Sequence, residues 1–300
     1  RFSYTLPDGS TISQGGSGSE KDAYSNRTIS ASMRHAFNAR WREETSVRET
    51  NYTLDSDSFS GGAGAVDSSI PRTESIARYG QHTIHYTQLG GRLQQQLKVS
   101  KNVVRSKSVS RFGNSSSRTQ KTQHSYQLNY FLAQSDDSDA THGVTVALER
   151  EDISNDSSFS AFHENYSSSV ITEYRYELEE NFSSAVAFRH ERNNIFNNAN
   201  IGHLNFSYAP NLELRWHASL GTAVKNPTLR ELFGSSSTYV GNANLRPEQS
   251  ESLDFGLQWQ LSLQQVLDVT LFSLRIDNQI IGSGNTSRNI EGRTSTRGVE

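Results

Sequence analysis

The sequence lacks several residue types and patterns that other protein classes require. It has no cysteine, and only one methionine and five prolines among its 300 residues. Without cysteine it can form neither a disulfide nor a thiolate-bound metal site. No run reaches the roughly 18 apolar residues of a transmembrane helix. Hydrophobic residues make up 33% of the chain, with a mean hydropathy of −0.68. The composition excludes a helical membrane protein and poorly suits a compact apolar core.

An excess of charge of one sign is also missing. The 29 basic and 32 acidic residues give a net charge of −3. Nucleic-acid-binding proteins usually carry a basic excess, so we expect no nucleic-acid partner. No nucleophile elbow of the Gly-x-Ser-x-Gly type is found, and we expect no enzymatic activity. The acidic run 136–139 lacks the glycine and the distal glutamate of a calcium-binding loop, and is interpreted as solvated.

What the chain does contain is a recurring alternation of apolar and polar residues. The clearest example is 251–260, where every second residue is apolar; these residues are Leu253, Phe255, Leu257 and Trp259. Successive side chains of a strand point to opposite faces, so this segment predicts a strand with one apolar and one polar face. The same pattern recurs at 170–177 and 212–220. In total it predicts about fourteen strands.

The connections between these strands are predicted to alternate in length. Short connections lie near 37–40, 89–91, 133–140, 178–181, 209–211 and 261–264. Long connections cover roughly 7–25, 54–75, 106–118, 154–165, 192–199, 225–248 and 278–287. An antiparallel meander with short turns at one rim and long loops at the other is typical of an outer-membrane β-barrel. Such a barrel also accounts for the composition, because its interior is polar and its apolar side chains face lipid.

The stretch 220–260 resembles a known family. Its motif residues are Asn226, Pro227, Leu229, Glu231, Leu232, Gly241, Asn242, Asn244, Leu245, Pro247 and Glu248. They resemble the barrel signature of TonB-dependent outer-membrane receptors, although Ala243 stands where proline is common. The resemblance implies a transmembrane barrel in the outer membrane of a Gram-negative bacterium. It also implies uptake of a bulky nutrient, driven by the partner TonB acting on a plug domain.

Within that family, the loop lengths and the segment 20–27 look most like the cobalamin (vitamin B12) receptor branch. On this alignment, residues 1–300 form one partial barrel domain with about fourteen of twenty-two strands, a strand number found in plugged transporters. The plug domain and the TonB box are then absent from the sequence. The implied partners are TonB through that plug, outer-membrane lipid and a small-molecule nutrient. The implied cargo is a corrinoid, with a ferric siderophore or haem as the alternative.

Candidate site residues follow from the motif and from the predicted loops. We interpret the motif residues as mainly structural, because Pro247 stiffens the entry into the next strand. Phe233 and Tyr239 are candidates for stacking on a flat ligand. In the cobalamin branch, aspartates of neighbouring outer loops bind calcium, and the residues in similar places here are Asp8, Asp22, Asp55 and Asp57. No other cofactor is expected.

Two other classes of protein stay open from sequence alone. An outer-membrane barrel enzyme would need a catalytic group at the rim, and no constellation above chance is found. A secreted β-rich adhesin would show an internal repeat and similar loops at both ends, and neither is seen. We therefore favour the receptor.

Overall fold

The computed structural model describes residues 2–5, 11–14, 23–55, 58–60, 64–66, 72–110, 113–132, 140–158, 160–179, 181–235 and 239–300. Its elements, in chain order, are β1 (Phe2–Thr5), β2 (Thr11–Gln14), β3 (Tyr24–Ala36), β4 (Trp41–Asp55), β5 (Ser58–Ser60), β6 (Gly64–Val66), β7 (Arg72–Gln88), β8 (Leu93–Ser110), β9 (Gly113–Phe131), β10 (Ala140–Ser157), β11 (Ser160–Leu178), β12 (Phe182–Asn193), β13 (Ala199–Tyr208), β14 (Leu214–Lys225), α1 (Leu229–Phe233), β15 (Glu248–Ser262), β16 (Gln265–Asp277), β17 (Ile280–Ser283), β18 (Thr286–Asn289) and β19 (Arg293–Val299). Strand is therefore the dominant structure, as the alternation predicts.

The main sheet is an antiparallel meander. It holds thirteen strands, in the order β19-β16-β15-β14-β13-β12-β11-β10-β9-β8-β7-β4-β3. The pairs β1–β2, β5–β6 and β17–β18 form separate two-stranded sheets. The all-β antiparallel barrel meander predicted from the sequence is thereby confirmed, with one strand fewer in the main sheet than the predicted number of about fourteen. In the described part of the chain the sheet is open, with β3 and β19 at its two ends.

One face of the main sheet carries the apolar side chains in continuous rows. One row crosses seven strands through directly paired residues, namely Tyr130, Val144, Tyr174, Val186, Leu204, Leu220 and Leu253. About half of the surface of Val186 and Leu253 is exposed, at 53% and 51%. Large apolar residues left open in rows of this kind are the outward face of a membrane barrel.

The opposite face is polar and carries the only α-helix among the described residues. The helix α1 contacts β11, where the ring of Phe233 stacks on His163 with centroids 4.1 Å apart. His163, Glu173 and Arg175 occupy alternate positions of β11, so their side chains point to the same face. Glu173 and Arg175 form an ion pair of 2.7 Å there. The face bearing α1 is therefore the inner face, and these two charges lie on it as the alternation predicts.

Two of the predicted long loops are wrong. The regions 106–118 and 154–165 are mostly strand, because β8 runs to Ser110 and β9 begins at Gly113, while β10 ends at Ser157 and β11 begins at Ser160. The strands β8 to β11 are 18 or 19 residues long, whereas about 9–11 residues span a bilayer. Their outer halves therefore extend past the apolar rows.

The short-turn rim is marked by aromatic contacts and asparagine turns. Trp41 stacks on Tyr86 with ring centroids 4.1 Å apart, and Phe182 meets Phe206 edge-on at 5.4 Å. Aromatic residues at the edge of an apolar band are the girdle that flanks lipid-facing surfaces. At the first turn, Asn38 Oδ1 accepts hydrogen bonds from the backbone of Arg40 and Trp41, which closes the hairpin. Among the described residues, no helix is long and apolar enough to cross a membrane.

Candidate functional site at the long-loop rim

The loop between β14 and β15 begins with a capped helical turn. Thr228 is the N-cap of α1, and its Oγ1 accepts a hydrogen bond from the backbone N–H of Glu231 at 3.2 Å. The Glu231 carboxylate accepts one from the backbone N–H of Thr228 at 2.8 Å. This reciprocal arrangement is a capping box, and it satisfies two backbone donors of a very short helix. Leu229 and Leu232 are buried beneath it.

The loop then folds back on this helix. The backbone N–H of Asn242 donates to the carbonyl of Glu231 at 2.8 Å, and that of Gly241 donates to Gly234 at 2.6 Å. A Cβ atom at Gly241 would lie 2.6 Å from the carbonyl oxygen of Leu232, so this close approach requires glycine. Leu245 is 4% exposed and completes the small core of the loop.

The same loop is fastened to the β17–β18 hairpin. Asn289 Nδ2 donates to the carbonyl of Arg246 at 2.9 Å, and its Oδ1 accepts from the backbone N–H of Arg246 at 2.9 Å. Asn242 Nδ2 donates to the carbonyl of Ser287 at 3.0 Å. Glu248 Oε1 accepts from the backbone N–H of Ile280 at 2.8 Å. The motif residues named here make contacts within the chain; a mainly structural role for the whole motif stays a prediction.

An ion pair holds the base of this hairpin. Arg293 donates from Nε and from its terminal nitrogen to the two carboxylate oxygens of Asp277, at 2.9 and 2.8 Å. These hydrogen bonds, and the positive charge that makes them, hold the pKa of the Asp277 carboxyl below its usual value. They also raise the pKa of Arg293. The pair joins the last residue of β16 to the first residue of β19.

The two aromatic candidates already have partners within the chain. Phe233 stacks on His163, and its carbonyl accepts a hydrogen bond from Ser160 Oγ at 2.9 Å. Tyr239 shares a hydrogen bond of 2.9 Å with Ser287 Oγ, and the guanidinium of Arg230 lies 5.5 Å from its ring centroid. Both rings therefore pack within the loop and the barrel wall. Their contact with a substrate stays a prediction.

The calcium prediction falls mostly outside the described residues. Asp8, Asp22 and Asp57 lie outside them, as does the acidic run 136–139. Asp55 is described, and its Oδ1 lies 3.8 Å from a terminal nitrogen of Arg72. Within the described ranges, no group of three or more histidine, aspartate or glutamate residues is arranged to hold a metal ion. Calcium binding at these loops stays a prediction.

A cavity of about 420 Å³ lies between the turn that leads into α1 and the inner face of β9 to β12. Asn226, Pro227 and Arg230 close it from the loop side. From the wall, its polar lining includes Asn155, Asn165 and Arg189. Its volume lies within the roughly 300–1,000 Å³ typical of small-molecule sites. The cavity is the candidate site to which the sequence motif and the barrel wall both contribute.

Of the four charged side chains that line the cavity, Glu151, Arg189 and Glu191 are held in ion pairs. Arg189 bridges Glu149 and Glu191 with contacts of 2.9 Å each, and Lys121 lies 2.7 Å from Glu151. None of these residues is recognisable as a site residue from the sequence alone. The available signal was that these residues occupy the alternate positions that face the polar side of neighbouring strands. That signal is not enough, because strand register is needed to bring Glu149 and Arg189 together. That register pairs Glu149 with Ser169, and Ser169 with Glu191.

Comparisons with known proteins agree with this architecture. A family model described as "TonB dependent receptor-like, beta-barrel" matches residues 1–300. The vitamin B12 transporter BtuB of Vibrio vulnificus (strain YJ016) is 24% identical over 293 residues, covering 93% of this chain and 44% of that protein. The siderophore receptor PirA of Pseudomonas aeruginosa has a TM-score of 0.75 at 15% identity, covering 92% of this chain and 52% of that one.

A further solved structure with this fold is the Serratia marcescens hemophore receptor HasR, in complex with HasA and heme. Its TM-score is 0.73 at 14% identity, with 92% of this chain and 51% of that chain covered. At these identities, the structural likeness shows the fold alone. The chain spans about half the length of the proteins it matches. Because the family model matches along the whole sequence, the chain belongs to the TonB-dependent receptor β-barrel family and is an outer-membrane protein of a Gram-negative bacterium.

Proposed function

We propose that this chain is the barrel part of a transporter that imports a corrinoid such as vitamin B12. The observation that carries this proposal is the match of 93% of the chain to a protein named a vitamin B12 transporter. Membership of the family supports import of a nutrient in the broader sense, because its members are transporters and receptors. In this proposal the chain acts by binding and transport rather than by catalysis.

The arrangement of the two faces supports this function physically. The exposed apolar rows suit contact with outer-membrane lipid. The inner face is lined with polar groups that can form hydrogen bonds with water or with a polar cargo. The folded β14–β15 loop brings aromatic and amide side chains to the long-loop rim. In this proposal the cargo binds at that rim, and TonB drives its passage by acting on a plug domain that residues 1–300 do not include.

Uptake of labelled cyanocobalamin tests the proposal. The intact receptor, with its own plug domain, is expressed in a Gram-negative strain whose own vitamin B12 transporter has been deleted. We expect uptake that requires a functional TonB, and a matched strain lacking TonB serves as the control. Uptake of a ferric siderophore or haem, with none of cyanocobalamin, would contradict the proposed cargo. A separate titration of cyanocobalamin binding to the purified receptor, with and without calcium, tests the predicted metal site, since calcium should tighten binding.

A further inference from the structure

We propose that the cavity beneath the turn leading into α1 binds an uncharged, amide-bearing arm of the cargo, and so selects a neutral ligand over a polyanionic metal chelate. This inference rests on the proposed function and specifies where, and through which chemistry, the cargo is recognised. The motif loop closes the cavity on one side and the inner face of β9 to β12 on the other.

Amide side chains supply much of the polar lining. Asn155, Asn165, Asn193 and Asn226 all line the cavity. Asn193 already has partners within the chain, since its Oδ1 accepts hydrogen bonds from the backbone N–H groups of Ile195 and Phe196. Asn155 donates to Thr119 Oγ1 at 2.8 Å and Asn226 donates to Glu191 at 3.3 Å, so the amide oxygens of both can still accept hydrogen bonds. Facing amides are suited to a ligand that both donates and accepts.

Asn165 is an unsatisfied member of this group. Its Oδ1 is shielded from solvent and has no hydrogen-bond partner. A buried acceptor without a partner is unfavourable, because it has lost its hydrogen bonds to water and gained none in the protein. The terminal torsion of asparagine is soft, so a small rotation can turn this oxygen towards the cavity that the residue lines. An N–H group on a ligand in the cavity would then remove the cost.

The formal charge of the lining sums to zero. Its two carboxylates, Glu151 and Glu191, are balanced by the guanidinium groups of Arg189 and Arg230. Arg189 and both carboxylates are already held in ion pairs of 2.7–2.9 Å with neighbours on the wall. A polyanionic chelate in the cavity would lie beside Glu151 and Glu191, and Arg189 could pair with it only by giving up its own carboxylate partners; burying charge without a partner is costly. A neutral amide meets no such penalty.

The size of the cavity limits what enters it. About 420 Å³ is enough for a side arm with several non-hydrogen atoms, but a nutrient as bulky as a corrinoid must leave most of its volume outside. The cavity therefore acts as a subsite that recognises one part of the cargo. The remainder of the cargo lies towards the open interior of the barrel.

The test measures equilibrium binding of cyanocobalamin, a neutral ligand rich in amides, to the purified intact receptor. Asn165→Leu is compared with Glu164→Leu, which changes the adjacent residue on the outward face of the same strand. We expect Asn165→Leu to weaken binding about tenfold, as one hydrogen bond lost from a desolvated site would do, and Glu164→Leu to leave it unchanged. Asn165→Ala serves as the second variant if the leucine protein does not fold. Ferric enterobactin, an anionic chelate, is the comparison ligand.

The outcomes separate this inference from the proposed function. Tight binding of cyanocobalamin that is unaffected by both Asn165 variants would overturn the subsite and leave the proposed cargo standing. A receptor that binds ferric enterobactin but not cyanocobalamin, or binds neither, would overturn both. If the Asn165 variants weaken cyanocobalamin binding and Glu164→Leu binds it as the unaltered receptor does, both the subsite and the proposed cargo are supported.

Discussion

At the scale of single residues, the alternation of side chains along each strand decides whether a side chain faces lipid or the polar interior. Leu257 pairs with Trp216 and Val269 on the outward face, whereas its neighbour Gln258 points inward and donates to Asp268 at 3.4 Å. A charge on the outward face must be buried in hydrocarbon, while one on the inner face stays near water and other charges. Adjacent positions should therefore respond in opposite ways to the same substitution.

The first prediction compares these two neighbours. Leu257→Arg should destabilise the receptor in a bilayer by about 2–4 kcal/mol, because the guanidinium lies on the lipid side. Gln258→Arg is the matched control and should cost little. Reversible unfolding in urea, with the receptor folded in liposomes, measures both. Equal losses of stability would show that the two faces are wrongly assigned.

At the scale of elements, hydrogen bonding rather than apolar burial shapes the long-loop rim. The predicted loops at 106–118 and 154–165 are strands because the backbone ladders of β8 with β9 and of β10 with β11 continue past the apolar rows. Polar residues occupy both faces there, as in the run Ser115–Ser116–Ser117, so the alternation that marks a strand disappears from the sequence. A pattern based on hydrophobicity cannot detect a strand that faces water on both sides.

The second prediction concerns the clamp between the motif loop and the β17–β18 hairpin. Asn289→Ala removes two side-chain hydrogen bonds to Arg246 and one to the carbonyl of Asn278. Opening of the loop should become easier by about 1–3 kcal/mol, since the two bonds to Arg246 contribute about 0.5–1.5 kcal/mol each. Amide hydrogen exchange should accelerate in 239–247 and remain unchanged in the strands.

A matched control for that measurement is available on the other strand of the hairpin. Ser283→Ala changes a residue of β17 that pairs with Thr286 across the hairpin, and exchange in 239–247 should then match that of the unaltered receptor. Loop exchange that is insensitive to Asn289→Ala would indicate that apolar burial of Leu245, rather than this clamp, holds the loop.

At the scale of the whole molecule, the sheet in residues 1–300 has two ends. Within the described residues, β3 pairs only with β4, and β19 pairs only with β16. An unpaired strand edge inside hydrocarbon leaves backbone N–H and C=O groups without partners, each at a cost of several kcal/mol. A membrane barrel avoids this cost by closing on itself.

The third prediction follows from these edges. A protein restricted to residues 1–300 should not fold stably in lipid, because its edge strands β3 and β19 are not paired with one another in the described sheet. Refolding into liposomes, followed by protease digestion, should leave no resistant barrel, whereas the intact receptor treated in parallel should be resistant. A resistant, monomeric product from residues 1–300 alone would show that the two edges can close on each other.

The sequence by itself determined the class of the protein and the faces of its strands. Strict alternation in segments such as 251–260 is a local property, because each side chain points away from the next whatever the rest of the chain does. The motif at 220–260 indicated the family for the same reason, since its glycine, prolines and caps act on the backbone within a few residues.

Only the tertiary structure decided where the charged wall and the cavity lie. Glu149, Arg189 and Asn226 come from three distant parts of the chain, and register across several strands brings them to one place. Register depends on the summed pairing of whole strands and on the turns that join them, so no local pattern encodes it. The candidate subsite was therefore invisible in the sequence, although every residue that lines it can be read there.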